Sequence, residues 1–286
     1  MREAEDRLAF ARMPKSLLSA AKRNCARLSR SAAGAVRHDR SGTLASFRQF
    51  VDSAVLSTNI SAYKVAVFDE YQRVIDARSL ATHKAGGDRA AGLRAFRASQ
   101  AEWFTRRVRF EALWVDGRKL IYGAMNCGGL GPDEKYGPFC LTVADPMRCN
   151  PTAIGVFPGN TAERYVSLAG VVDRDRIDRE IGPWEQRAAV AILELAPGVL
   201  GAHRHRWSEI VCSKDRFIEV VIAPGPELGQ LTATRCRGTY LERLEALEFR
   251  KLAGEALTET ETWELSAFHA LQRWRRLHGV PVEAVA

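Results

Sequence analysis

Several common signatures of function are missing from this sequence. It contains no G-x-G-x-x-G and no G-K-[ST] loop, so neither a Rossmann dinucleotide site nor a P-loop is predicted. It contains no G-x-S-x-G nucleophile elbow. No apolar run approaches the roughly 18 residues of a membrane helix, and no secretory signal follows Met1. The sequence therefore predicts no membrane span. It also predicts a protein that is cytoplasmic, or exported as an effector without a classical signal peptide.

Cysteine is scarce and scattered. None of the six cysteines forms a C-x-x-C pair, which argues against zinc-ribbon and thioredoxin-like proteins. In a chain of 286 residues, isolated cysteines indicate reduced thiols in a cytosolic protein.

Acidic residues are scarce in the N-terminal part of the chain. Residues 1–110 carry 21 Lys and Arg against 10 Asp and Glu, whereas residues 111–286 carry 21 against 24. From Arg7 to His38 there are eight Lys and Arg and no acid. This asymmetry predicts an anionic partner for residues 7–38, such as a nucleic acid. A solvated helical face and a targeting leader are the alternatives.

The hydrophobic pattern predicts an α+β fold in which an N-terminal helical region precedes a largely antiparallel sheet domain with C-terminal helices. We divide the chain into a basic leader (1–42), a helical region (43–107) and an α+β domain that holds the site (108–286). Predicted helices cover 14–31, 89–104, 183–196, 240–253 and 262–278, and Ser31–Gly42 is predicted as a linker. A strand is predicted over 63–68. Further strands are predicted over 108–115, 118–125, 136–143, 152–157, 164–171, 207–213, 216–223 and 230–236.

The segment Val108–Asn126 predicts a β-hairpin. Asp116-Gly117 lies between two strand-like runs, and Gly tolerates the positive φ that a type I′ turn requires. The second run leads into a glycine-rich loop that contains Cys127. If backbone amides there lower its pKa, Cys127 is a candidate nucleophile. A small residue in a turn is the alternative interpretation.

Two other groups could carry chemistry. His203 and His205 face the same way if they lie on a strand, and they could then share a metal ion, although nothing nearby completes a known site. Tyr122-Gly123 and Tyr136-Gly137 lie at strand ends, where tyrosine rings offer a stacking face and a hydroxyl. Core packing explains each tyrosine equally well.

Glu219 interrupts a strand that is otherwise apolar, Ile218–Ile222. A carboxylate there is costly to bury unless it is paired or used in a reaction. The segment resembles the last strand of ADP-ribosyltransferases, in which the catalytic Glu is followed by aliphatic residues and a turn with Pro. That family has, in chain order, an Arg or His, a Ser-containing strand and the Glu, and Arg118, Ser167 and Glu219 follow that order. The resemblance spans residues 108–236, and Tyr122–Asn126 is also similar to a Tyr-Gly-Ala-x-Asn strand of uncharacterised bacterial proteins.

The resemblance implies an enzyme that cleaves NAD as a substrate and transfers ADP-ribose to a protein or nucleic-acid acceptor, as bacterial toxins and effectors do. It implies that Arg118, Ser167 and Glu219 converge on one cleft. Arg118 would hold the pyrophosphate, Tyr122 or Tyr136 would stack on the nicotinamide, and Glu219 would stabilise the transition state. The alternative function is a non-enzymatic nucleic-acid or protein-binding protein that uses the basic N-terminal segment. An ion pair between Glu219 and Arg216 or Arg235 is the alternative role for the carboxylate.

Overall fold

The fold is built on one open sheet of seven strands. We describe it from a computed structural model, in which residues 14–100, 103–212 and 216–285 are described. The strands are β1 Val55–Ile60, β2 Ile121–Asn126, β3 Phe139–Val143, β4 Ala153–Pro158, β5 Ile218–Ala223, β6 Ala233–Arg237 and β7 Val282–Val285. They lie in the order β4-β5-β2-β1-β3-β6-β7, and every pair is antiparallel except β6 and β7. The predicted α+β class is confirmed.

Helices precede the sheet, connect its strands and follow it. Before β2 they are α1 Leu17–Arg23, α2 Cys25–His38, α3 Thr43–Asp52, α4 Ala62–Tyr71, α5 Ala77–Lys84, α6 Arg89–Gln100 and α7 Trp103–Glu111. Between β4 and β5 they are α8 Thr161–Tyr165, α9 Arg174–Glu180, α10 Arg187–Leu200 and α11 Trp207–Val211. The last two are α12 Gly238–Leu252 and α13 Glu259–His278.

The sheet is buried on both faces because apolar residues alternate toward two separate cores. On the first face, Ile218, Val220 and Ile222 of β5 join a large core that includes α3, α10 and α13. On the second face, Val221 and Ala223 join a smaller core formed with α1, α7, α8 and α9. Since a strand that is covered on both sides favours apolar residues at nearly every position, β5 is apolar throughout except for Glu219.

The second face becomes polar away from β4 and β5. Cross-strand partners in an antiparallel sheet point to the same side, and Ala124 of β2 pairs with both Glu219 and Ser57. Ser57, Asn126 and Thr142 are buried on this side of β1, β2 and β3. The second face of the sheet is therefore apolar at the end formed by β4 and β5 and polar at its centre.

The predicted hairpin at Val108–Asn126 is wrong in its first half. The segment 108–111 ends helix α7, and a 3-10 turn, Gly117–Lys119, leads into β2. Asp116 does have a positive φ of 59°, but the chain reverses from a helix rather than from a strand. Phe110, Leu113 and Trp114 have helical spacing and fill the smaller core. That spacing outweighs the period-two alternation.

Other element predictions also need correction. Residues 63–68 lie in α4, and the missed strand β1 precedes them. Residues 164–171 contain the end of α8 and a single bridge rather than a strand, and 207–211 form α11. The linker predicted over 31–42 is mostly helix, because α2 continues to His38. Pro197 lies inside α10 and does not end it. Strands β2 to β6, except for their ends, and helices α6, α10, α12 and α13 are where the sequence predicts them.

The three-part division of the chain stays a prediction. The structure adds one fact that bears on it: β1, from the region 43–107, lies between β2 and β3 of the region 108–286. Residues 14–42 also contribute to both cores, through Leu17 and Leu28.

Candidate functional site

Glu219 lies near the start of β5, on the second face of the sheet. Its neighbours across the strands are Ala124 of β2 and Phe157 of β4. The residue is only 6 % exposed. The alternative of a surface carboxylate paired with Arg235 is therefore wrong, and Arg235 pairs with Glu283 instead.

The partner of Glu219 is the start of helix α8. The backbone N–H of Thr161 donates to Oε2 of Glu219 over 2.8 Å. Asn160 caps the helix by accepting from the N–H of Glu163, so the amide of Thr161 is left free for Glu219. Burial raises the pKa of Glu219 to about 7, and this rise is opposed by the hydroxyl and amide of Thr161 and by the charge of Arg107. Glu219 thus exchanges a proton near neutral pH.

The charge of Arg107 on α7 acts on Glu219, and its guanidinium also pairs with a second buried carboxylate, Glu111. The Arg107 guanidinium lies 4.2 Å from the centre of the Tyr122 ring, and its Nε donates to Glu111 over 3.0 Å. Glu111 also forms an ion pair with Arg78 and accepts a hydrogen bond of 3.4 Å from the Tyr122 hydroxyl. We call Arg78, Arg107, Glu111, Tyr122, Thr161 and Glu219 the Glu219 cluster.

Solvent reaches the cluster over strand β2. Strands β4 and β5 are buried along their whole length, whereas Tyr122 and Ala124 of β2 keep partial exposure. The side chains of Arg78 and Arg107 are 20 % and 21 % exposed, against 2 % for Glu111. The partly exposed side of the cluster is therefore the side of Arg78 and Arg107, whereas Glu111 and Glu219 are buried.

Positive charge dominates the cluster when Glu219 is protonated. Two arginines share Glu111, and Lys64 of α4 has a pKa lowered by burial and then by the nearby charge of Arg107. Burial, followed by the charge of Glu111, raises the pKa of Tyr122 well above its usual value, so this hydroxyl stays protonated. In this state the arrangement suits a ligand with anionic groups.

The structure brings only two of the five residues predicted for the site into this cluster, Tyr122 and Glu219. The side chain of Arg118 is exposed, and its carbonyl accepts a hydrogen bond from Arg78. Ser167 is exposed, and its hydroxyl accepts from the N–H of Val171. Tyr136 is 57 % exposed in the loop before β3. Within the described residues, no hydrogen bond or ion pair joins any of these three side chains to Glu219, and the convergence of Arg118, Ser167 and Glu219 on one cleft stays a prediction.

The other candidate residues lie apart from the cluster. Burial raises the pKa of Cys127 to about 12, which is opposite to the shift that a cysteine nucleophile requires. His203 and His205 lie in an exposed turn with ring centres 5.8 Å apart. Across residues 14–100, 103–212 and 216–285, no group of three or more His, Cys, Asp or Glu could hold a metal ion.

Sequence reasoning missed four members of the cluster, Arg78, Arg107, Glu111 and Thr161. The i, i+4 spacing of Arg107 and Glu111 is the usual signal of an ion pair on a helix, but the prediction of a strand over 108–115 obscured it. The start of the helix at Thr161 has a sequence signal, Asn160 followed three residues later by Glu163, but nothing in the sequence indicates that the backbone amide of Thr161 meets Glu219.

A separate cavity of about 480 Å³ lies between the starts of α4, α12 and α13. Tyr63, Tyr240 and Trp263 are among its lining residues, and Glu219 is not. No helix within the described part of the chain has the length and apolar character to cross a membrane.

Comparison with known proteins adds no relative. The chain matches no family model, no curated protein and no solved structure.

Proposed function

We propose that this protein is an ADP-ribosyltransferase-like enzyme that cleaves NAD and transfers ADP-ribose to a protein or nucleic-acid acceptor. The supporting observation is the buried side chain of Glu219. It lies on the same sheet face as Tyr122, and the positive charge of Arg107 favours its carboxylate form. The proposal does not use Arg118 or Ser167. An enzyme of this kind would act in the cytoplasm or, after export, as an effector.

In the proposed reaction, the bond between C1′ of the ribose and the nicotinamide nitrogen breaks, and nicotinamide leaves with the bonding electrons. Positive charge develops at C1′ and the ring oxygen. The Glu219 carboxylate stabilises that charge while it accepts a hydrogen bond from a ribose hydroxyl. An acceptor nucleophile then bonds to C1′ and loses a proton to solvent.

The remaining members of the cluster would bind and orient NAD. Arg107 would provide a charge-assisted contact to the pyrophosphate. One face of the Tyr122 ring already contacts Arg107, so the nicotinamide would use the other face or the ring edge. Since the reaction needs Glu219 as a carboxylate, its rate would rise with pH through about 7.

Substitution of Glu219 by Gln tests the proposal. We expect Glu219→Gln to lower nicotinamide release from NAD by about 100-fold or more, because the isosteric amide carries no negative charge. Nicotinamide release is followed by chromatography, with the purified full chain and NAD alone.

Glu264→Gln is the matched control. Glu264 is also buried, at 8 % exposure, and its hydrogen-bond partners, Arg243 and Tyr240, are not members of the cluster. It should retain the wild-type rate. Equal rates for Glu219→Gln and the wild type, or no NAD cleavage by the wild type, would rule the proposal out.

A second candidate function is binding of an anionic partner by the N-terminal helices. Residues 7–13 of the predicted basic segment lie outside the described residues. In α1 and α2, Leu17, Leu28 and Ala32 are buried, whereas Lys22, Arg23, Arg30 and Arg37 are not. This division leaves an outward cationic surface that could contact nucleic acid or an acidic protein.

Charge reversal tests this candidate better than truncation, because removing α1 and α2 would open both cores. We expect Lys22→Glu combined with Arg30→Glu to weaken binding to the anionic partner and to flatten its dependence on salt. A double-stranded oligonucleotide titrated at several salt concentrations provides the measurement. Unchanged affinity and unchanged salt dependence would exclude these helices as the binding surface.

A further inference from the structure

A second cationic surface lies on helices α5 to α7, next to the Glu219 cluster. Residues 77–111 contain eight Lys and Arg against three Asp and Glu. Helix α6 buries only Gly92 and Phe96. Gly92 allows the backbone of α6 to approach Thr82 of α5, where an added Cβ would lie 2.6 Å from the Thr82 Cα. The other residues of α6 are exposed or partly exposed.

Arginine and aromatic side chains alternate on this surface. The guanidinium of Arg97 lies 5.7 Å from the Phe104 ring centre, and that of Arg106 lies 5.1 Å from Trp103. Phe104 in turn contacts Phe96 edge-on. Trp103 and Phe104 are partly exposed, so part of each ring is open to a ligand.

The same contacts lead inward to the Glu219 cluster. Phe96 contacts the guanidinium groups of Arg78 and Arg107 at 4.8 and 5.8 Å, and Arg107 continues to Tyr122. We call Arg89, Arg94, Arg97, Trp103, Phe104 and Arg106 the α6–α7 surface. It borders the side of the cluster that carries Arg78 and Arg107.

Much of the positive charge on this surface faces water. Arg89, Arg94 and Arg97 are exposed. Within residues 14–100, 103–212 and 216–285, Arg89 and Arg94 form no ion pair with an acidic side chain. A surface on which exposed arginines outnumber acidic side chains is complementary to a polyanion.

We propose that the α6–α7 surface binds single-stranded nucleic acid. Exposed arginines would contact successive phosphates, and the open parts of Trp103 and Phe104 would stack on unpaired bases. This is the combination by which proteins hold single strands without reading sequence. A duplex would offer the phosphates but not the base faces, and an acidic protein or membrane would use only the charge. The α6–α7 surface differs from that of α1 and α2, where the outward cations have no such series of aromatic rings beside them.

Fluorescence anisotropy with a labelled 12-nucleotide oligo-dT and oligo-U tests the proposal on the full chain. We expect Arg94→Glu combined with Arg97→Glu to weaken binding at least tenfold. The slope of log K against log salt should become less steep by about 0.7 for each phosphate that the variant no longer neutralises. Trp103→Ala should weaken binding several-fold while leaving the salt slope nearly unchanged, because it removes stacking rather than charge.

Arg275→Glu combined with Arg276→Glu at the exposed end of α13 is the matched control, since it lies on neither cationic surface and changes the net charge by the same amount. It should bind the oligonucleotides within about twofold of wild type. Circular dichroism confirms that each variant is folded, which distinguishes a weakened binding surface from an unfolded protein.

Three results would overturn the proposal. They are equal weakening by the α6 pair and by the control pair, no effect of Trp103→Ala, and equally tight binding to a duplex, heparin or anionic vesicles. The last result would indicate a general polyanion surface. Because the assay contains no NAD, its outcome is independent of the proposed enzymatic activity.

Discussion

Glu219 makes a pH-dependent contribution to stability. Burial raises its pKa from 4.5 to about 7, so the folded protein holds a proton that the unfolded chain releases above pH 4.5. The free energy of unfolding should therefore fall as pH rises from about 4.5 to 7, and Glu219 adds no further change above that range. The full difference is roughly 3 kcal/mol, at 1.36 kcal/mol per pKa unit.

Glu219→Gln isolates this contribution, because the amide resembles the protonated acid. Urea unfolding of wild type and variant at pH 5 and pH 8 should show the variant gaining stability relative to wild type as pH rises. Glu264→Gln provides the comparison. A constant difference between wild type and Glu219→Gln across this range would show that the pKa of Glu219 is not raised.

The sequence predicts that Glu219 is an acid in an apolar strand, but it does not predict which groups interact with it. An acid within Ile218–Ile222 had to be paired or used, and the structure confirms its burial. Its partners could not be read from the sequence, because Thr161 is 58 residues away and acts through a backbone amide. Arg118 and Ser167 followed the chain order of a family pattern, but order along a chain does not determine which side chains meet.

At the scale of elements, the junction between α7 and β2 depends on Gly117. An added Cβ would lie 1.8 Å from the carbonyl oxygen of Glu111, which is backbone and cannot rotate away. We expect Gly117→Ala to lower the free energy of unfolding by roughly 1–3 kcal/mol, the usual range for overpacking. It should also lower any activity of the Glu219 cluster, since Glu111 anchors two arginines.

Gly238→Ala is the control for this measurement. It begins α12, has no atom within 4 Å of the added Cβ, and should be neutral or slightly stabilising. Both variants are compared by thermal and urea unfolding. Equal stability of the two variants would mean that the α7–β2 junction accommodates the added Cβ without lowering the free energy of unfolding.

An element could be predicted where the apolar residues clearly followed either the helical period or the strand period. The strands β3 to β5 have compact, largely apolar runs and were predicted, as were the helices α12 and α13, which end close to a glycine. Segment 108–115 alternates apolar and polar residues, yet Phe110, Leu113 and Trp114 also have helical spacing. Strand β1 was missed because Ser57 and Asn59 face the polar side of the sheet, where a strand needs no apolar alternation.

At the scale of the whole molecule, the sheet requires both halves of the chain. Strand β1 is hydrogen-bonded to β2 and to β3. We expect a fragment of residues 108–286 to lack cooperative unfolding, because its sheet would have a gap between β2 and β3. The full chain should show one cooperative transition by circular dichroism. A fragment that unfolds cooperatively, with native-like dispersion in its NMR spectrum, would support the boundary predicted at residue 108.

The central place of β1 has a consequence for how the protein is made. Its two partners, residues 121–126 and 139–143, follow it by more than 60 residues along the chain. During synthesis at about 5–20 residues per second, β1 would therefore wait several seconds with both edges unpaired. Helices α4 to α7 are completed in that interval. We therefore expect the partly synthesised chain to be bound by a chaperone that shields apolar segments.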